Sequence, residues 1–115
     1  MKSSKAVLIG GLIVLLMSPG LVYGAGWTTK RLTATSGDSG SPKIAAAGAN
    51  VYAVWEDDTP GNDEIYFRKS TDGGVTWQAA KKLTSNAGGS ASPAIAVDGA
   101  NIYVVYLNGS TWEKL

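Results

Sequence analysis

The chain of 115 residues contains no cysteine and no histidine. Without cysteine there are no disulfide staples, no thiol nucleophile and no lipid-modified anchor, so stability rests on packing alone. Without histidine, histidine-based triads and histidine metal sites are excluded. Charge of one sign is also missing: ten Lys+Arg face nine Asp+Glu, a net charge of +1. So balanced a chain offers no electrostatic case for nucleic acid or anionic lipid. The longest apolar run, Ala6 to Met17, is about a dozen residues, short of the ~20 that span a bilayer as a helix.

That run has its own logic. Lys2 and Lys5 precede it, Pro19 and Gly20 break it, and Val22-Tyr23-Gly24 follows with residues suited to a signal peptidase. The pattern is that of a secretory signal, residues 1–24, cut before Ala25. An uncleaved membrane anchor is the alternative. The mature chain, residues 25–115, loses Lys2 and Lys5, leaving eight basic against nine acidic residues and a net charge of −1. Secretion or cell-surface display is the expected location.

The mature chain repeats itself. "GANVYAVW" from Gly48 aligns with "GANIYVVY" from Gly99, Ser41-Pro42 with Ser92-Pro93, and Lys30-Arg31-Leu32-Thr33 with Lys81-Lys82-Leu83-Thr84. The offsets 99 − 48, 92 − 41 and 81 − 30 are all 51, and a period in this range indicates a stacked supersecondary unit. Strand formers cluster over Lys43 to Ala47, Val51 to Trp55, Ile65 to Arg68 and Trp77 to Leu83, with Gly, Asn, Asp and Pro between them. Val51 to Trp55 and Ile102 to Tyr106 do not alternate apolar with polar, so both faces of these strands should be covered. Gly48 and Asn50 argue against a helix through "AAAGANVYAVW". The Ala45-Ala46-Ala47 run suits an innermost, crowded strand.

The run "KSTDGGVTW" from Lys69 supplies the most specific signal. In Ser70-x-Asp72-x-Gly74-x-Thr76-Trp77 the carboxylate can fold onto backbone N–H groups as an Asx turn. Gly73 and Gly74 supply positive φ. The hydroxyls can tie the strand ends, and the Trp can pack beneath. This order resembles the Asp box of bacterial-neuraminidase-type repeats, found in sialidases and other β-propellers. "VYAVWEDDTPGNDEIYFRKSTDGGVTW" is similar to such a repeat throughout, with Trp-x-Asp before it and an Ile-Tyr strand leading in. The resemblance implies an all-β, partial β-propeller: one complete four-stranded blade with incomplete blades on either side. It also implies that Ser70, Asp72, Gly74, Thr76 and Trp77 are structural and lie on the blade periphery. In this reading Trp27 to Thr33 is the outer strand of a preceding blade and Ser92 to Tyr106 opens a following one, which ends in a reduced Asn108 to Trp112 turn. A kelch propeller has a similar period, but here the glycine pair sits inside a complete Asp box. WD repeats lack their Gly-His and Trp-Asp signatures.

Catalytic signals are sparse. A sialidase resemblance calls for three arginines, a Tyr–Glu nucleophile pair and an acidic Asp, whereas Arg31 and Arg68 are the only arginines. Tyr66 or Tyr103 with Glu56 or Glu64 are the available pairs, and strand-core aromatics account for both tyrosines. No catalytic residue is assigned. "EDDTPGNDE", Glu56 to Glu64, gathers carboxylates, with Asp57, Asp58 and Asp63 as calcium candidates, yet it lacks calcium-loop spacing. A solvated hairpin loop turning at Thr59 to Asn62 is the preferred reading. Asn108-Gly109-Ser110 is a glycosylation sequon in form and an Asn-Gly turn in composition.

Two functional classes follow. One is an exported, non-catalytic binding or scaffold module without cofactor, meeting carbohydrate, protein or neighbouring blades. The other is the N-terminal piece of a sialidase-like exo-glycoside hydrolase. Open blade faces at Tyr52, Trp55, Tyr103 and Tyr106 would drive self-association, and three chains of two blades would close a six-bladed ring.

Overall fold

The computed structural model describes residues 28–115 in full. Before them it describes only the backbone of two strands, β1 (Lys5–Ile9) and β2 (Leu12–Leu16). β1 pairs antiparallel with β2 and parallel with β3 (Thr28–Arg31). The rest of the segment read as an export signal, including the expected cut before Ala25, lies outside the described residues.

The described strands are all β. β4 (Ser39–Ala47), β5 (Asn50–Asp57), β6 (Glu64–Ser70) and β7 (Lys81–Lys82) form an antiparallel sheet in that order. β8 (Ser90–Asp98), β9 (Asn101–Asn108) and β10 (Thr111–Lys114) form a three-stranded one. The sequence repeat is carried into the register. Ser39 pairs with Asp57 and Ala47 with Asn50, while Ser90 pairs with Asn108 and Asp98 with Asn101. Each first hairpin turns through a glycine, Gly48 or Gly99, at φ 57°. A two-residue hairpin loop with positive φ at its first position needs that residue type.

The Ser-Pro pairs make the same defect twice. Ser41 and Pro42 stand opposite the single residue Trp55, and Ser92 and Pro93 stand opposite Tyr106, so each strand carries a β-bulge. Proline has no N–H for the ladder, and a bulge requires none there. Both serines sit at positive φ, 48° and 52°.

The two sheets stack because β5 is apolar on both sides. Ala53 and Trp55 point to one face, where Leu32 lies on them with Tyr66 and Trp77 alongside. Val54 points to the other, joining Ile65, Val104 and Tyr106 between the sheets. β8 crosses over β4, β5 and β6 to make this second layer. Leu83, the repeat partner of Leu32, packs beside Val104 and Tyr106, as Leu32 does beside Ala53 and Trp55. The covering is therefore head to tail: the inner face of the second unit lies on the outer face of the first.

Three expectations change. β9 is covered on one face only, since Tyr103 and Val105 remain 45% and 38% exposed. Tyr52, Trp55 and Tyr106, expected to meet water, are buried. The expected strand over Trp77 to Leu83 shrinks to Lys81–Lys82, because the Trp77 indole is held back in the preceding turn by Gly74 O. The chain end also gains β10, closed on β9 by the two-residue loop Gly109-Ser110.

The bulges yield a paired prediction. A left-handed L-residue costs about 1–2 kcal/mol, which glycine relieves. Ser92 contributes only its backbone N–H, to Glu56 Oε2 at 2.8 Å, whereas the Ser41 hydroxyl donates to Glu56 Oε1 at 2.7 Å. Thermal melting should show Ser92→Gly as stable as the parent or more so, and Ser41→Gly less stable than Ser92→Gly. Equal effects would mean that the Ser41 hydroxyl contributes nothing.

Candidate functional site

The turn from Ser70 to Trp77 is a closed hydrogen-bond circuit. Asp72 Oδ1 accepts from the Ser70 hydroxyl at 2.7 Å and from Thr76 N at 2.8 Å, and the Thr76 hydroxyl donates to Oδ2. Ser70 Oγ accepts from Gly74 N at 2.8 Å, and Trp77 Nε1 donates to Gly74 O at 2.9 Å. Gly73 and Gly74 stand at φ 69° and 90°, where a side chain would be strained. Two further bonds fasten the turn to the sheet, Gly73 N to Ala49 O and Gln78 N to Lys69 O. Both hydroxyls thus bond to Asp72 rather than tying the strand ends, with Ser70 and Gly74 buried and Asp72 and Thr76 exposed.

Electrostatics agree. Hydrogen bonds from the Thr76 side chain and backbone, then from Ser70, lower the Asp72 pKa to about 2. A carboxylate fixed as an anion and occupied by donors has no spare proton for acid catalysis.

The acidic loop between β5 and β6 is also occupied. Asp57 is buried and accepts from the Thr35 hydroxyl at 2.8 Å, the Ser39 hydroxyl at 2.7 Å and Thr59 N at 2.9 Å. Burial disfavours its ionised form, but hydrogen bonding from the Thr59 side chain, Ser39, the Thr59 backbone and Thr35 together outweighs it and the pKa falls. Asp58 Oδ1 accepts from Asp38 N at 2.7 Å. Asp63 is the exception: burial, then repulsion from Glu56, Asp58 and Asp57, raises its pKa. Among the described residues no three acidic side chains gather to hold a metal ion. The calcium candidates Asp57, Asp58 and Asp63 do not form a site, because the first two are already spent on hydroxyl and backbone donors. The turn itself runs one residue earlier than expected, with Gly61 N bonded to Asp58 O at 2.8 Å.

The other candidates are equally committed. Glu64 is buried, accepting from the Thr84 hydroxyl and from Asn86 N, the latter at 2.7 Å. Glu56 bridges the two bulges through Ser41 and Ser92. Tyr66 stacks on Trp55 with ring centroids 6.0 Å apart. Burial, then Asp57 and Glu64, raises its pKa, the wrong direction for a phenolate nucleophile. Arg68 Nη1 donates to Leu32 O at 2.9 Å, and Arg31 is exposed on β3. In the second unit Glu113 accepts from the Tyr106 hydroxyl at 2.8 Å and from Asn108 Nδ2 at 2.9 Å.

Sequence reasoning missed the bridging roles of Glu56 and Glu64. The signal was faint: each lies at one end of the five-carboxylate loop, where composition suggests solvent rather than a link to a distant strand. Comparison with protein-family models, with curated proteins and with solved structures yields no match for this chain.

Two outcomes follow from the turn. The folded pKa of Asp72 lies below its unfolded value, so its contribution is complete above the unfolded pKa and is lost as pH falls toward about 2. Asp72→Asn should melt lower than the parent at neutral pH and lose less on acidification from about pH 5 to about pH 2. Identical acid profiles would deny the carboxylate this role. Trp77→Ala, which removes a half-buried ring and its bond to Gly74 O, should cost about 3 kcal/mol in denaturant unfolding.

Proposed function

We propose that the chain is an exported, non-catalytic repeat module with neuraminidase-type Asp-box repeats, built on the β-propeller plan and serving as a binding or scaffold surface. The observation that carries this reading is the Asp box itself. Its five motif residues hydrogen-bond to one another within the turn, which commits the Ser70 hydroxyl and the Asp72 carboxylate to structure. The head-to-tail stacking of units with one register supports the propeller plan, since blades bury their faces on their neighbours in this way. The occupied carboxylates Asp57, Glu64 and Asp72 support a non-catalytic role, because glycoside hydrolysis needs two carboxyl groups free across a cleft. Carbohydrate or protein is the class of ligand such an exported surface meets.

Export and inactivity are tested separately. N-terminal sequencing of the exported protein should begin at Ala25, and intact Met1 in the membrane fraction would establish an anchor instead. A fluorogenic sialoside incubated with the purified protein should release fluorophore no faster than buffer does. Turnover abolished by Glu56→Gln or Glu64→Gln would overturn the non-catalytic reading.

A further inference from the structure

Asn108 stands where the first unit has an aspartate. Asp57 and Asn108 are one period apart, and each pairs in register with a serine, Ser39 or Ser90. In the first unit the Ser39 hydroxyl donates to Asp57 Oδ2 at 2.7 Å. In the second, Ser90 is 0% exposed and its hydroxyl accepts from Asn86 Nδ2 at 2.7 Å. A hydroxyl also has one proton to give, and among the described residues that of Ser90 meets no acceptor. The Asn108 amide is drawn away to Glu113 Oε1 at 2.9 Å. The second unit thus keeps the buried donor opposite position 108 and lacks the carboxylate that answers it in the first.

The chain beside Asn108 can make that carboxylate. Of the five asparagines, only Asn108 precedes a glycine. Gly109 has no side chain to hinder its nitrogen, and it stands at φ 57° in the hairpin turn. Its N–H is held by one long bond, 3.4 Å to Gly89 O, beyond the usual range. Asn50, Asn62, Asn86 and Asn101 precede Val51, Asp63, Ala87 and Ile102, whose side chains crowd the same approach.

We infer that Asn108 is a self-modification site: it loses its amide to Gly109, and the aspartate formed is taken up by Ser90 as Asp57 is by Ser39. The Gly109 nitrogen attacks Asn108 Cγ, so that an N–Cγ bond forms while the Cγ–Nδ2 bond breaks. The Gly109 proton passes to solvent and ammonia leaves. Water then opens the cyclic imide. Breaking the new N–Cγ bond gives aspartate, and breaking the bond from Gly109 N to the Asn108 main-chain carbonyl gives isoaspartate. The reacting groups are neighbours on one chain, so no second molecule is needed until water adds. The aspartate can no longer donate to Glu113 and is repelled by it, while the Ser90 hydroxyl offers a proton from the paired strand. Every group involved lies between Asn86 and Glu113.

The full chain, held in mildly alkaline buffer and digested at intervals for mass spectrometry, should show Asn108 converting to aspartate and isoaspartate before any other asparagine. Isoelectric focusing should show a more acidic species growing in step. Gly109→Ala should slow the conversion about tenfold or more. The uptake by Ser90 is tested without the chemistry by making Asn108→Asp directly. Ser90→Ala should lower the melting temperature of that variant more than it lowers the parent's, the lost bond from Asn86 being common to both. Asn108 intact after a free peptide of residues 106–112 has converted, or another asparagine reacting first, would overturn the site. Equal effects of Ser90→Ala in the two backgrounds would overturn the uptake.

Discussion

Everything in this structure depends on β5 being apolar on both faces. A strand of this kind cannot stand at a surface, since each large side chain left in water forfeits about 1.5–3 kcal/mol. Val54, Trp55 and Ile65 are essentially inaccessible to solvent. One face is closed by Leu32 from the segment before β4, the other by the sheet after it. The order of elements along the chain follows from that need for cover on two sides. A neutral, cysteine-free chain has no other large source of stability.

Its polar chemistry serves the same end. Loops that join stacked sheets leave backbone N–H groups without ladder partners, and each of these needs another acceptor or water. The carboxylates meet that need. Glu64 takes Asn86 N, Asp57 takes Thr59 N, Asp58 takes Asp38 N, and Glu56 takes Ser92 N from the other sheet. What looks in sequence like an acidic, metal-seeking loop is a set of acceptors distributed to separate loops. Their separation matters, because a cation needs them converging.

The sequence makes some of this legible and hides the rest for physical reasons. The period of 51 residues, the Gly48 and Gly99 turns and the Ser70 to Trp77 turn are written in residue order, so the sequence alone specifies them. The face uncovered on β9 is not local. "VYAVW" and "IYVVY" read alike, yet one is sandwiched and the other is not, because exposure depends on which sheet comes next. The links from Glu56 and Glu64 span 36 and 22 residues, beyond any spacing rule. The bulges were half legible. Paired Ser-Pro sites marked a repeated feature, but the positive φ of the serine runs against the extended conformation favoured before proline.

The differences between the two units are as informative as their identity. Asp57, buried with three donors around it, is replaced at the equivalent position by Asn108, whose amide reaches Glu113 on the returning strand. The loop after the second strand falls from Asp58–Asp63 to Gly109-Ser110, so the third strand returns four residues earlier. In the first unit the charged group sits on the second strand and gathers hydroxyls from the segment before it. In the second it sits on the third strand, and the Tyr106 hydroxyl becomes a donor across the hairpin, its pKa raised chiefly by that bond to Glu113 and then by burial. One architecture thus closes its hairpin ends by two separate hydrogen-bond schemes. The apolar stacking specifies the sheets, and the polar groups at the hairpin ends are free to change as long as every donor they must satisfy is met.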